Sequence, residues 1–111
     1  MLRSPVDKSP AYVSRLLSKR TKTPFLVLSK PLISRRVTEF RDGHPDVAIF
    51  YAFKANSDTQ LIPFLDGQGV GFEVSGEQEL TALLRRGVPI GRIISSNTIK
   101  TPPFIRRAYR A

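Results

Sequence analysis

An α/β fold built on a parallel sheet is the class this sequence predicts, and three observations lead to it. Runs of strand type alternate with helix signals three times, at intervals of roughly 22 to 25 residues, as expected of strands joined by crossover helices. The strand runs are apolar without alternation, VAIFYAFK at 47–54 being the clearest, which suits strands covered on both faces. No G-x-G-x-x-G or G-x-x-x-x-G-K-[ST] occurs, so short uniform units favour a (β/α)8 TIM-type barrel over a dinucleotide fold. Three consecutive βα units cannot close such a barrel. The expectation is therefore a partial one, preceded by an N-terminal strand and helix.

Taken in order, residues 1–23 mix Ser, Pro, Lys and Arg around Tyr12-Val13 and Leu16-Leu17, which predicts a short helix with a mobile lead-in. PFLVLS (24–29) is a β-type run. Pro31 stands at a first helical position, Leu32, Ile33, Val37 and Phe40 share a helical face, and Gly43 is placed to cap it. After the strand at 47–54, Ser57 and Gln60 have capping-box spacing before Leu61, Ile62, Phe64 and Leu65, with a stop at Gly67. Pro63 should kink or shorten that helix. A second strand, VGFEVS (70–75), runs into Ser75 and Gln78 at capping-box spacing, then Leu80, Leu83, Leu84 and a stop at Gly87. The third, RIISSN (92–97), precedes Thr101 as N-cap, Pro102 at the first helical position, and Phe104, Ile105 and Ala108. The chain stops at Arg110-Ala111 without a helix stop signal, which suggests the N-terminal part of a longer protein.

Composition narrows the function classes. With no cysteine there is no disulfide framework or Cys-based zinc site, and the single His44 cannot anchor a histidine cluster, so no metal site is expected. No run approaches the roughly 18 to 20 apolar residues of a membrane span, and no long apolar leader opens the chain, which predicts a cytoplasmic protein with no membrane partner. The net charge of +9 raises the alternative of a small basic nucleic-acid-binding module. Its cations, however, fall in scattered pairs such as Arg35-Arg36 and Arg85-Arg86 on polar helix faces, and no specific nucleic-acid partner is expected.

In parallel α/β folds chemistry gathers at the carboxyl ends of the strands. Those positions hold Lys54, Glu73 and Asn97, a base, an acid and an amide on one rim. A lysine there suits Schiff-base chemistry, in which a neutral amine attacks an aldehyde. It can equally snorkel to solvent, and the glutamate can be an ordinary surface acid.

YAFKAN (51–56) resembles the Y-A-V-K-A-N segment of the pyridoxal-phosphate-dependent ornithine, diaminopimelate and arginine decarboxylases, which have an alanine-racemase-like barrel. GFEVSGEQEL (71–80) is similar to the family's G-F-D-[CV]-A-S-x-x-E-[IL], and GVPIGRIISSNTIK (87–100) to G-V-P-P-E-R-I-I-[FY]-A-N-P-x-K. The three blocks agree in order and spacing across 24–111. The resemblance implies that Lys54 bonds covalently to pyridoxal 5'-phosphate, that Glu73 stands for an aspartate beside the cofactor, and that Glu79 and Asn97 match a helix glutamate and a strand-end asparagine. Glu73 keeps the charge of that aspartate on an arm one methylene longer. Thr98 replaces a proline and Gly76 a serine. Alanine racemases match less well, since their lysine segment runs into Tyr-Gly-His where this one has Ser57-Asp58-Thr59.

The resemblance further implies that residues 24–111 are the N-terminal part of a pyridoxal-phosphate-binding barrel, broken off within the third βα unit, with 1–23 as a partly helical extension. PFLVLS would correspond to the strand that joins the family's C-terminal β-domain. The phosphate-binding glycines, the histidine stacked on the cofactor and the acid at its pyridine nitrogen would lie on later strands. The activity implied is decarboxylation of a basic or diamino acid by a homodimer, with this fragment inactive alone. The alternative within the fold is a racemase or another pyridoxal-phosphate barrel enzyme.

Overall fold

The computed structural model describes residues 10–19, 22, 24 and 26–111. The chain divides into two compact units, Met1–Pro45 and Asp46–Ala111. The first holds helices α1 (Pro10–Ser18) and α2 (Lys30–Gly43). The expected lead-in at 1–9 lies outside the described residues. At α2 the Ser29 hydroxyl accepts from Leu32 N–H at 3.4 Å and Pro31 sits in the first turn, where a missing N–H costs no helical bond. The helix ends on His44 rather than at Gly43: the His44 N–H bonds to the Phe40 and Arg41 carbonyls, and its ring lies 5.0 Å from that of Phe40.

Of the run expected as a strand at 24–29, the described residues 24 and 26–29 form none. Residues 26–29 have no regular structure, Leu26, Val27 and Leu28 are exposed, and Ser29 serves as a helix cap. A strand needs a neighbour for its backbone groups, and among the described residues none lies beside this run. Apolar β-type composition alone does not make a ladder.

The second unit is α/β. Strands β1 (Phe50–Ala52), β2 (Gly71–Glu73) and β3 (Ile93–Ile94) form one parallel sheet in the order β1-β2-β3, and helices α3 (Leu61–Gly67), α4 (Glu77–Leu84) and α5 (Pro102–Tyr109) follow them in alternation. Phe50 pairs with Gly71, Tyr51 with Phe72 and Ala52 with Glu73, while Phe72 pairs with Ile93 and Glu73 with Ile94. The ladders are shorter than the apolar runs because pairing stops where β1 turns into a 3-10 turn at Phe53–Ala55.

The register sorts the side chains into two faces. Phe72 and Val74 point to the covered face and join Ile62, Leu65, Leu80, Leu83 and Phe104 in the core. Burying such side chains contributes about 1.5–3 kcal/mol each, which makes this face the source of stability. On the other face Phe50 and Ile94 stay exposed, and Glu73 is half-buried. Gly71 stands beneath the Phe50 ring, where a Cβ would meet ring carbons at 2.6 Å and the Arg92 carbonyl oxygen at 2.9 Å.

Helix starts and stops depart from expectation in instructive ways. Ser57 does not cap α3. The N-cap position is Gln60, which makes no side-chain cap bond, and the turn leading into the helix is held by Asp58, whose Oδ1 accepts from Gln60 and Leu61 N–H at 2.8 and 3.3 Å. Pro63 therefore falls in the first turn, where it neither kinks nor breaks the helix. Both α3 and α4 end alike: Val70 N–H reaches Leu65 O and Val88 N–H reaches Leu83 O, over Gly69 (φ 72°) and Gly87 (φ 78°). The left-handed residue after α3 is thus Gly69, not Gly67. Thr101 caps α5 as predicted, accepting from Phe104 N–H at 3.4 Å.

Candidate functional site

The carboxyl ends of the strands converge on one rim. Lys54 sits in the 3-10 turn directly after β1, between Phe53, which is buried, and Asn56. The Tyr51 hydroxyl, on β1, donates to the Asn56 carbonyl at 3.3 Å and ties the two sides of this turn together. Burial raises the Tyr51 phenol above its ordinary value. Lys54 itself is exposed, and its amine makes no hydrogen bond or ion pair among the described residues. It lines an open pocket of about 330 Å³ with Phe53, Ser57, Gln78 and Glu79.

Glu73 ends β2. Its Oε1 accepts a hydrogen bond from Ser96 Oγ at 3.0 Å, across the β2–β3 pair. Glu79, on the first turn of α4, reaches back so that its Oε2 accepts from Ser75 N–H at 2.7 Å. Asn97 Nδ2 donates to Ser75 O at 2.9 Å. The expected Ser75–Gln78 capping box does not form. Gly76 is the N-cap, with no side-chain bond, and Glu79 at the third helical position supplies the return contact instead.

The four residues named from sequence are therefore sorted by geometry. Lys54 and Glu79 share the pocket, whereas Glu73 and Asn97 belong to a neighbouring cluster built on Ser96 and Ser75. Ser96 was not singled out by sequence reasoning. The signal available was the register, since a residue two places beyond a strand partner returns to the same face. Tyr51 and Asn56 were quoted only as part of the lysine segment, and nothing in their types announced the bond between them.

Comparison with known proteins follows this geometry. The family described as pyridoxal-dependent decarboxylase, pyridoxal binding domain, matches residues 30–111. The lysine/ornithine decarboxylase of Selenomonas ruminantium is 34% identical over 94 residues, covering 85% of this chain and 24% of its own length. The ornithine decarboxylase of Caenorhabditis elegans is 33% identical over 84 residues, covering 76% of this chain and 20% of its own. Among solved structures, lysine decarboxylase from Selenomonas ruminantium superposes with a TM-score of 0.80 at 31% identity, over 95% of this chain and 28% of that one. The arginine decarboxylase of Paramecium bursaria Chlorella virus, bound to agmatine, gives 0.81 at 26% identity, over 88% of this chain and 27% of that one. SrLDC, solved with PLP and cadaverine, gives 0.79 at 29% identity over 99% of this chain and 28% of that one. The chain thus spans about a quarter of the length of these relatives.

Pyridoxal phosphate is the cofactor of this domain. The residues present fit it: an aldehyde needs a primary amine, and Lys54, which has no competing partner among the described residues, offers one at the edge of an open pocket. With an alternating α/β unit on a parallel sheet and a family match across 30–111, the chain belongs to the pyridoxal-dependent decarboxylases.

Proposed function

We propose that this chain supplies the lysine-bearing portion of a barrel enzyme that decarboxylates a basic or diamino acid, in the manner of ornithine decarboxylase. The observation that carries the proposal is the Lys54 amine at the carboxyl end of β1, in the segment YAFKAN, without a hydrogen bond or ion pair among the described residues. The relatives are decarboxylases named for lysine, ornithine and arginine, which supports the substrate class and favours neither a racemase nor a nucleic-acid module.

When bound, pyridoxal phosphate supplies an electron sink for the pair left on the substrate α-carbon as CO2 departs. The chain's own residues do the rest of the work assigned here. Lys54 would hold the cofactor through Nζ and, once that amine is freed, would carry a proton at the same atom. The short turn bracketed by Tyr51 and Asn56 keeps that atom in place. Glu73 presents a carboxylate on the open face of the sheet, held by the Ser96 hydroxyl, and helps to orient the site. Glu79 and Asn97 act on the site by fixing the backbone at Ser75, where β2 passes into α4. The complete enzyme is proposed to be a cytoplasmic homodimer; among the described residues no helix is long and apolar enough to cross a membrane.

A chimera tests this reading. Residues 24–111 replace the corresponding segment of Selenomonas ruminantium lysine decarboxylase, to which they superpose with a TM-score of 0.80, and CO2 release from lysine, ornithine and arginine is measured. Retained, cofactor-dependent release from at least one of them is expected. A folded chimera that binds the cofactor but releases no CO2 contradicts the proposal.

A further inference from the structure

We infer that Ser96 is the positioning residue for the Glu73 carboxylate, and that the two side chains act as a matched pair at the cofactor site. The inference rests on the proposed role of Lys54 and deepens it.

The register leads to the pair. Glu73 is the partner of Ile94, and parallel partners present their side chains to the same face. Ser96, two residues beyond Ile94, returns to that face, and its Oγ donates to Glu73 Oε1 at 3.0 Å. A carboxylate only accepts, and a serine hydroxyl has one proton to give, so the sense of the bond is settled by chemistry. No other hydrogen bond to Glu73 is found among the described residues. The neighbouring serine shows the contrast. Ser95 Oγ is buried without a hydrogen-bond partner among the described residues, so of two adjacent hydroxyls the one at 96 reaches the acid. Asn97 then fixes the backbone beyond Ser96 by donating to Ser75 O at 2.9 Å, which keeps the hydroxyl aimed at β2.

The lengths of the side chains explain why a tether is needed. A glutamate has one more rotatable bond than an aspartate, and left free it would spread its charge over more positions. In the family pattern that this chain resembles, position 73 is an aspartate and position 96 an alanine. This chain departs at both, and the two departures touch. A longer acid gains a donor within reach. With the shorter acid the hydroxyl would fall short of its partner.

Five proteins test the pairing, each carrying residues 24–111 within the chimera described above: the unaltered segment, Ser96→Ala, Glu73→Asp, the double variant, and Ser96→Thr, which keeps the hydroxyl. Each is incubated with excess pyridoxal phosphate and quenched with borohydride at intervals. The rate of attachment at Lys54, relative to Lys100 in the same sample, is read by peptide mapping. Melting of the cofactor-free proteins is followed in parallel. Ser96→Ala should slow relative attachment by about tenfold, as for loss of a hydrogen bond to a charged group, with Ser96→Thr staying within about twofold of the parent. Glu73→Asp should slow it too, and the double variant should recover to within about threefold, which independent sites would not do. Single effects that multiply in the double variant overturn the inference, as does coupling seen in the melts alone, which would mark a purely structural bond. Preferential labelling of Lys54 in the parent, unchanged by Ser96→Ala, overturns the pairing and leaves the function standing. Absence of any preference for Lys54 in the parent overturns the proposed function, and the pairing with it.

Discussion

The Tyr51 hydroxyl donates to the Asn56 carbonyl oxygen at 3.3 Å, and so bridges the turn that carries Lys54. β1 and the loop before α3 are joined on either side of the amine. The lysine is thereby held by the strand below it and by a side chain that spans it.

Removing that bridge should loosen the turn without emptying the core. Tyr51→Phe is expected to cost about 1 kcal/mol, the net worth of one hydrogen bond, and to speed amide exchange across 53–56 more than elsewhere. The phenol adds a pH signature. Its value is raised in the folded protein by burial, so its contribution is complete below the ordinary value of 10.0 and is lost as pH rises from there through the folded value. The parent should therefore lose stability on this alkaline limb, and the Phe variant should lose less. Parallel limbs in urea melts from neutral pH upward would show that Tyr51 does not sense the fold.

Arg92 is a second staple, on the opposite end of the sheet. Its guanidinium meets Asp66 Oδ1 at 2.7 Å and donates to the Asp66 and Val70 carbonyls at 3.1 and 2.8 Å, tying the start of β3 to the turn between α3 and β2. Arg92→Ala should destabilise the fold by about 2 kcal/mol, because two half-buried carbonyls and a carboxylate lose their donor together. Arg92→Lys should recover less than half, since an ammonium cannot fork between them. Equal stability of the Lys variant and the parent in urea would contradict the reading.

Gly71 tests the close approach within the sheet. Gly71→Ala should cost about 1–3 kcal/mol, the range for overpacking a fitted site. Phe50→Ala introduced alongside should relieve only part, because the Arg92 carbonyl at 2.9 Å is backbone and stays. Full recovery in thermal melts would assign the whole clash to the ring.

Glu79 and Asn97 hold the two polar groups of Ser75, its N–H and its C=O. Their substitutions should therefore be non-additive: Glu79→Ala and Asn97→Ala together are expected to destabilise by less than the sum of the two singles, by about 0.5 kcal/mol or more. Glu79→Gln, which keeps an acceptor oxygen, should be the mildest of the set. Strict additivity would show that the two side chains do not act on one shared backbone position.

Much of this arrangement was legible in the sequence, and the rest was hidden for physical reasons. The alternation of apolar runs with helix caps located all three parallel units and placed Lys54, Glu73 and Asn97 at strand ends, because burial and capping leave local marks. Thr101 and Pro102 marked the start of α5 for the same reason. PFLVLS, whose partner the resemblance puts in a C-terminal β-domain, forms no strand over 26–29, because a strand is a property of two segments and composition reports on only one. Asp58 rather than Ser57 takes the N–H groups at the start of α3, a choice among neighbouring polar side chains that geometry decides. The Ser96–Glu73 bond spans 23 residues and is visible only once the register is known.

The central claim is tested most directly at Lys54 itself. Pyridoxal phosphate is bound to the chimera that carries residues 24–111, the bond is reduced with borohydride, and the modified residue is mapped in the parent chimera and in its Lys54→Ala and Lys54→Arg variants. The account predicts attachment chiefly at Lys54 in the parent and its loss in both variants, since a guanidinium stays protonated and is no practical nucleophile. Modification centred on Lys30 or Lys100 in the parent, unchanged by Lys54→Ala, would contradict it.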